Sequence, residues 1–474
     1  MDIPEFREQA HKLVDWMADY LENVRQYPVK SQVQPKEILG KLPLSPPSDG
    51  ESFDNIFRDF ENIIVPGMTH WQHPSFFAYF PANSSPPSVL GEMLTATLAA
   101  QCMIWQTSPA AAELEERVMQ WLRDMIGLPD SFTGVIQDTA STATLCSILT
   151  AREQVSDFKL NETGLSGAPR YAVYASSETH SSIEKDVKIA GIGREYLRKI
   201  EVDASFAMNP SSLEEAIKRD KKNGVVPLCV VATIGTTGST AVDPIRNIGQ
   251  ICKKHGVWLH VDAAFAGTAL LIPEMRWMSD GVELADTFVF NPHKWMFTNF
   301  DCSAYFVKDP GALIRTFEIL PEYLKTREGS RVNNYRDWGI PLGRRFRALK
   351  LWFVIRSYGV AGLQAMVRNH LAMAKSLAKQ IESSADFETL APMSVNLICF
   401  RYHPGGVDDD TELNRINEEL LEKINATGKL YMTHTKLSGR YTLRFVAAQT
   451  QVTQEDVDRG WEVIQQVARG LQRP

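Results

Sequence analysis

The chain has 474 residues, 44% of them hydrophobic and 23% charged, the proportions of a globular protein with ample chain for a large core. Lysine and arginine number 50 against 57 acidic residues, a formal charge of −7. Fibrous and disordered classes are excluded, and so is the basic footprint of a nucleic-acid binder. The opening MDIPEFREQAHK lacks the apolar run of a secretory signal. Two long stretches, 93–112 and 223–242, carry no charge. Their prolines and hydroxyl residues read as buried segments of a soluble protein, not as membrane spans. The six cysteines are scattered without a CxxC pair, the pattern of reduced thiols in a cytoplasmic protein.

In chain order, Phe6, Ala10, Leu13, Val14, Met17, Leu21 and Val24 recur at helical spacing. A proline-rich connector follows, then a second apolar stripe from Phe53 to Ile64. Two such helices have a poor core of their own and must pack on the rest of the chain or on a partner subunit. Ser108-Pro109 opens a further helix that Gly127 and Pro129 stop. Runs apolar on both faces then alternate with helix-length segments: 171–176, 229–233, 258–263, 287–291 and 303–307. That alternation predicts a buried, mainly parallel sheet in an α/β domain. Beyond about Arg368 a smaller α+β unit is predicted, with strands over 397–401 and 441–446 and a closing helix from Thr453. The expected organisation is a helical arm over 1–75, a large α/β domain over 76–367 and a small domain over 368–474.

Five segments at strand exits carry chemistry. Lys294 in NPHKW follows a buried strand, where a poorly solvated amine loses proton affinity and becomes nucleophilic, as a Schiff-base lysine must. A lone loop lysine is otherwise an ordinary surface residue. Asp262 in WLHVD is costly at a strand end unless it meets a cation, such as a protonated pyridine nitrogen. It could equally cap the next helix, or with His260 bind a metal, although no metal-ligand spacing is present. Asp138-Thr139-Ala140-Ser141-Thr142-Ala143-Thr144 enters a helix with hydroxyls and backbone N–H groups suited to a phosphate. Thr237 lies in the glycine-flanked turn 234–238, and His180 in SSETHSS could stack on an aromatic ring. Each is ordinary alone; together they match the needs of pyridoxal 5′-phosphate, placed where α/β sheets hold their ligands.

These motifs carry a family resemblance. With HPSFFAYFPANSS (73–85), WLHVDAAFAG (258–267), NFDCSA (299–304), PEYLK (321–325) and IPLGRRFRALKLWFVIRSYG (340–359), the chain resembles the group II pyridoxal-phosphate decarboxylases nearly end to end. Within them it resembles the aromatic-L-amino-acid decarboxylases. The resemblance implies a fold-type I large domain, a homodimer whose N-terminal helices wrap the partner, and decarboxylation of an aromatic L-amino acid to its amine. It implies that Lys294 carries the cofactor, that Asp262 pairs with the pyridine nitrogen and that His180 stacks on the ring. Thr139, Ala140, Ser141, Asn291 and His293 would surround the phosphate, with Thr237 and Ala264 bordering the cofactor. Tyr323 in PEYLK matches the loop tyrosine that returns a proton to Cα. Trp71, Tyr79, Phe80 and Pro81 match an aromatic wall of the substrate pocket, although alone they read equally well as core. Met103 stands where some relatives place phenylalanine. Gly343 matches a position where plant relatives use glycine for indolic substrates and serine for phenolic ones.

Three other readings stay open at this point. An aromatic acetaldehyde synthase shares the fold and cofactor, but in the family that switch accompanies loss of the loop tyrosine or the stacking histidine. Decarboxylases of glutamate, histidine or cysteine sulfinate share the core motifs without the aromatic wall. A catalytically dead interaction protein would be expected to have lost Lys294 or Asp262.

Overall fold

Every strand predicted above is present in the computed structural model, which describes residues 1–319 and 331–471. Seven strands form the large sheet: β1 (Thr133–Gln137), β2 (Tyr171–Ser176), β3 (Leu197–Ile200), β4 (Val226–Thr233), β5 (Trp258–Asp262), β6 (Thr287–Phe290) and β7 (Ser303–Val307). Their order is β1-β7-β6-β5-β4-β2-β3. β3, β2, β4, β5 and β6 run parallel, whereas β7 lies antiparallel between β6 and β1. The apolar runs are explained by burial, since β2, β6 and β7 are buried at every position. Four further strands, β8 (Phe387–Thr389), β9 (Leu397–Tyr402), β10 (Thr433–Leu437) and β11 (Arg440–Val446), make a second sheet in the order β10-β11-β9-β8.

The chain forms two compact units, one of Met1–Pro81, Met373–Leu390 and Cys399–Pro474, the other of Ala82–Ala372 and Ala391–Ile398. In the first, the N-terminal helix Ile3–Asn23 starts at Asp2, whose side chain accepts from the Glu5 N–H. Trp16 packs on Tyr20, Phe57 and Phe60, so the two apolar stripes of the arm meet each other. They do not close a core: Gln9 is the one buried residue of that helix, and Phe6 and Val14 are exposed. The segment after the arm joins the second sheet, with Phe77 donating to the Tyr431 carbonyl and accepting from the Val446 N–H.

In the second unit, the helix Pro109–Ile126 ends where Gly127 adopts φ +73°, the left-handed cap that glycine takes without strain. One expectation fails here. The uncharged stretch 93–112 is not buried along its length: the helix Pro86–Leu98 covers it in part and leaves Leu90, Met93, Leu94 and Leu98 exposed. Lack of charge there marks an apolar outer face. The other uncharged stretch becomes β4 and its turn and is largely buried. All six cysteines are buried, and none is joined in a disulfide. Among the described residues, no helix is long and apolar enough to cross a membrane.

Candidate active site

The sequence-predicted residues of the second unit gather at the ends of β1, β2, β4, β5 and β6. Asp262 closes β5, in register with Thr233 of β4 and Val289 of β6. One of its carboxylate oxygens accepts from the Ala264 N–H at 3.0 Å, and its carbonyl accepts from the Ile234 N–H at 2.9 Å. The turn carrying Thr237 is thereby tied to β5. Gly235 in that turn has φ +85°, and a Cβ there would lie 2.6 Å from the Ala266 Cβ, so glycine permits both the bend and the close approach. Thr237 itself is exposed at the tip.

Lys294 sits in the short helix Pro292–Trp295 after β6, capped by Asn291. Burial pulls its ammonium below the usual lysine range, and the Asp262 carboxylate opposes that shift without cancelling it. A buried lysine so placed reaches its neutral, nucleophilic form more readily than one in water. His180 follows β2 with its ring exposed, yet burial against its neighbours and the Lys294 charge lower its pKa, with Asp262 acting in the other direction. Those mutual effects place His180, Lys294 and Asp262 in one electrostatic group. The Nδ1 of His180 accepts from the Ser182 N–H at 3.2 Å and lies 2.8 Å from the Ser182 hydroxyl, which assigns the ring proton to Nε2.

The hydroxyl-rich segment forms the expected helix start. Thr139 caps Ala140–Val155, its side chain accepting from the Thr142 N–H at 3.3 Å. Ala140 and Ser141 then present first-turn N–H groups that the helix cannot satisfy. Ser303 of β7 links this start to Lys294's helix, its Oγ lying 2.7 Å from Asn291 Oδ1 and 3.2 Å from the Asp138 carbonyl. His293 is buried beside it, accepts from the Cys302 N–H at Nδ1 (2.9 Å) and is driven by burial to a pKa of about 3. It is therefore a neutral imidazole with Nε2–H left to donate.

His260, open above to a metal reading, is accounted for by protein contacts. Its Nε2 lies 2.9 Å from Thr144 Oγ1 and its Nδ1 2.8 Å from Thr287 Oγ1, in a chain that continues through Ser147 to the Trp258 indole. Burial lowers its pKa to about 4.

Gly343 lies against Gln101, two residues before Met103 in the chain. The Gln101 Oε1 accepts from the Arg344 N–H at 2.7 Å, and its Nε2 lies 3.1 Å from where a Gly343 Cβ would stand. The Met103 carbonyl accepts from the Arg336 N–H. In the first unit, Trp71 and Tyr79 stack at 6.0 Å, Trp71 packs on Phe76, and Arg444 lies over Phe80. Trp71 is 37% and Tyr79 48% exposed, whereas Pro81 is buried, so the leading pair of the wall is surface and not core. Tyr323 lies outside the described residues.

A family model described as the pyridoxal-dependent decarboxylase conserved domain matches residues 35–403. The chain is 43% identical to tyrosine decarboxylase 1 of Narcissus pseudonarcissus, covering 99% of this chain and 94% of that one. It is 43% identical to a phenylacetaldehyde synthase of Arabidopsis thaliana, covering 99% and 97%. The crystal structure of Catharanthus roseus tryptophan decarboxylase in complex with L-tryptophan superposes with a TM-score of 0.94, at 39% identity and 99% coverage of both chains. The chain belongs to the pyridoxal-dependent decarboxylases. Its large domain is of fold-type I, and pyridoxal phosphate is its cofactor.

The strand-end residues of this decarboxylase fit that cofactor by the chemistry of their donors: an amine of lowered proton affinity, a carboxylate facing it, and a helix start rich in N–H and hydroxyl groups. Sequence reasoning missed the residues that hold these in place. Ser303 braces Asn291, Ser182 fixes the His180 tautomer, and Thr144 and Thr287 fix His260 two residues before Asp262. Ser303, Ser182 and Thr144 all lie in segments singled out above, NFDCSA, SSETHSS and 138–144, but their partners depend on pairings across as many as 116 positions or on a local loop turn.

Proposed function

We propose that this decarboxylase acts on an aromatic L-amino acid, releasing CO2 and the corresponding amine, as a cytoplasmic homodimer. The juxtaposition of Lys294, Asp262 and His180 carries the reading. When bound, pyridoxal phosphate supplies an aldehyde that condenses with amines and a ring that accepts the electron pair left at Cα. Lys294, its ammonium pulled below the usual lysine range by burial, would hold the cofactor through its amine. Asp262 holds the proton on the ring nitrogen, and the flat, neutral ring of His180 covers the face of the cofactor. Thr139, Ala140, Ser141, Asn291 and His293 hold the phosphate, and Thr237 and Ala264 border the ring. Tyr323 returns the proton to Cα, the role the family resemblance gives it.

The aromatic substrate is supported by relatives named for tyrosine and tryptophan decarboxylation and by the exposed Trp71–Tyr79 stack, which offers a flat surface to a ring. The homodimer is supported by the open apolar faces of the arm and of Pro86–Leu98. The cytoplasmic assignment is supported by six cysteines held as thiols and not as disulfides. A second reading is supported by similarity to several phenylacetaldehyde synthases and to the structure of a 4-hydroxyphenylacetaldehyde synthase. His180 and Tyr323 favour the amine.

Product analysis decides between them. Cofactor-loaded protein is incubated with tryptophan, tyrosine, phenylalanine, DOPA and 5-hydroxytryptophan, with glutamate and histidine as controls. Amines from the aromatic set without aldehyde or peroxide are expected, and Tyr323→Phe should divert product to aldehyde with oxygen uptake. Aldehyde from the unmodified enzyme overturns the amine assignment, and turnover of the controls alone overturns the aromatic one.

A further inference from the structure

A second buried carboxyl of this unit is not used by the reading above. Asp186 is on the helix Ser182–Ile189, 2% exposed, with Oδ2 sealed from solvent and making no hydrogen bond. Other buried aspartates of this unit are partnered. Asp243 accepts from the Met208 and Thr233 N–H groups at 2.7 Å each, and Asp220 pairs with Arg198 and Tyr174. A buried carboxyl oxygen without a partner is costly. Ile183 and Val187, which flank Asp186 on its helix, pack in one cluster with Cys229 and Val231 of β4, so this helix lies on the side of the sheet to which Thr233 and Asp262 project. The charge of Asp262 acts on Asp186 directly. Thr233, in register with Asp262 on β4, projects to the same side of the sheet, and its hydroxyl is likewise buried and unpartnered.

The charged and titratable groups around Asp186 are few. They are Asp262 from β5, Lys185 from its own helix and the Cys146 thiol from the adjoining helix Ala140–Val155. Burial pushes that thiol up to about 12, so it stays neutral. Burial first, and then Asp262, push Asp186 up to about 7, with Lys185 in opposition.

We propose that Asp186 is a positioning residue for Asp262, lying with it and Thr233 on one side of the sheet, and that its charge state sets how firmly Asp262 holds the proton on the ring nitrogen of pyridoxal phosphate. The proposal rests on the assignment of Asp262 to that nitrogen. Its sign follows from charge. A neutral Asp186 offers an O–H that draws on the negative charge of Asp262 and loosens its hold on the ring proton. An ionised Asp186 adds a second negative charge and tightens it. The ring proton is thus held best on the alkaline side of the Asp186 titration.

The test is a spectrophotometric pH titration of resting holoenzyme, following the absorbance of the lysine-bound cofactor without substrate. Wild type is compared with Asp186→Asn, Asp186→Glu and Asp262→Asn. The expected result is that Asp186→Asn lowers the pH of the alkaline spectral transition by about one unit, the size of a nearby-charge effect, and that Asp186→Glu restores it. Asp243, also pushed up to about 7 by burial, is intact in every variant and so cannot produce the difference. Should Asp186→Asn fail to fold, Asp186→Ala removes the same charge and is read in the same way. If Asp262→Asn changes the spectrum while the Asp186 variants titrate as wild type, the proposal fails and the Asp262 assignment stands. If Asp262→Asn changes nothing, the assignment falls and the proposal with it.

Discussion

The strand-end cradle and the aromatic wall are built on opposite plans. In the cradle, Asp262, Asn291 and His293 are buried, and neighbouring backbone or side-chain groups engage each of them. Along the wall, Trp71 and Tyr79 touch mainly other aromatic rings and keep more than a third of their surface open. A preorganised polar site tolerates little displacement, because its groups act through distance and protonation. An apolar surface acts through area and yields gradually. Chemistry is therefore expected to depend steeply on the cradle and substrate preference to depend gently on the wall.

The steepest test is Lys294→Ala. It removes the one amine of the cradle, and steady-state amine production should fall by about a thousandfold or more, together with the absorbance of lysine-bound cofactor. A variant that kept its steady-state rate would break the comparison at its root.

The next effect is on stability and follows from His260. In the unfolded chain a histidine takes up a proton near pH 6.5, whereas buried His260 resists until about 4. Between those values the unfolded state binds more protons, so this contribution is fully present above about 6.5 and is lost as pH falls toward 4. Asp186 and Asp243, pushed up to about 7, act with the opposite sign over much of that interval. The informative quantity is thus the stability gap between cofactor-free wild type and His260→Gln. Urea unfolding should show that gap narrowing by about 3 kcal/mol on acidification from pH 7 to 4. A gap independent of pH would mean that His260 takes up its proton in the fold at the same pH as in the unfolded chain.

How much of this was legible in the sequence follows the same division. Strands such as Thr287–Phe290 and Ser303–Val307 were readable because continuous apolar runs have few alternatives. Lys294, Asp262 and Thr139 were readable because polar residues directly after such runs fall at one edge of the sheet. Ser182 and Ser303 were not singled out, since a serine's partner depends on loop shape or on strand order. The antiparallel placement of β7, which sets Ser303 beside Asn291, leaves no local mark in the sequence. Asp186 was invisible for a related reason: on an amphipathic helix its burial depends on rotation against the sheet. The wall was less legible, because apolar spacing at Trp71 and Tyr79, as along Pro86–Leu98, does not distinguish a core from a face left open to a ligand or a partner subunit.

On the wall, Trp71→Ala should raise KM for aromatic substrates about tenfold and change kcat by less, the signature of lost aromatic contact. An equal loss in kcat would move Trp71 into the group that positions the reacting bonds, and the contrast between the two regions would weaken.

The smallest predicted effect sharpens the comparison most, because it tests bracing without touching any group assigned to the cofactor. Ser303→Ala leaves Asn291 and Asp138 in place but withdraws the hydroxyl between them. A buried acceptor losing its donor costs on the order of 1 kcal/mol, roughly a fivefold change in an equilibrium constant. If Ser303 orients Asn291 toward the phosphate, that loss appears as weaker cofactor retention, measured by equilibrium titration of the cofactor-free variant. If Ser303 only stabilises the fold, the thermal midpoint of the cofactor-free protein drops and cofactor affinity stays at the wild-type value. The first outcome makes the phosphate side a site held from behind, as Ser182 holds His180; the second makes Asn291 self-sufficient and confines such support to the histidine side of the cradle.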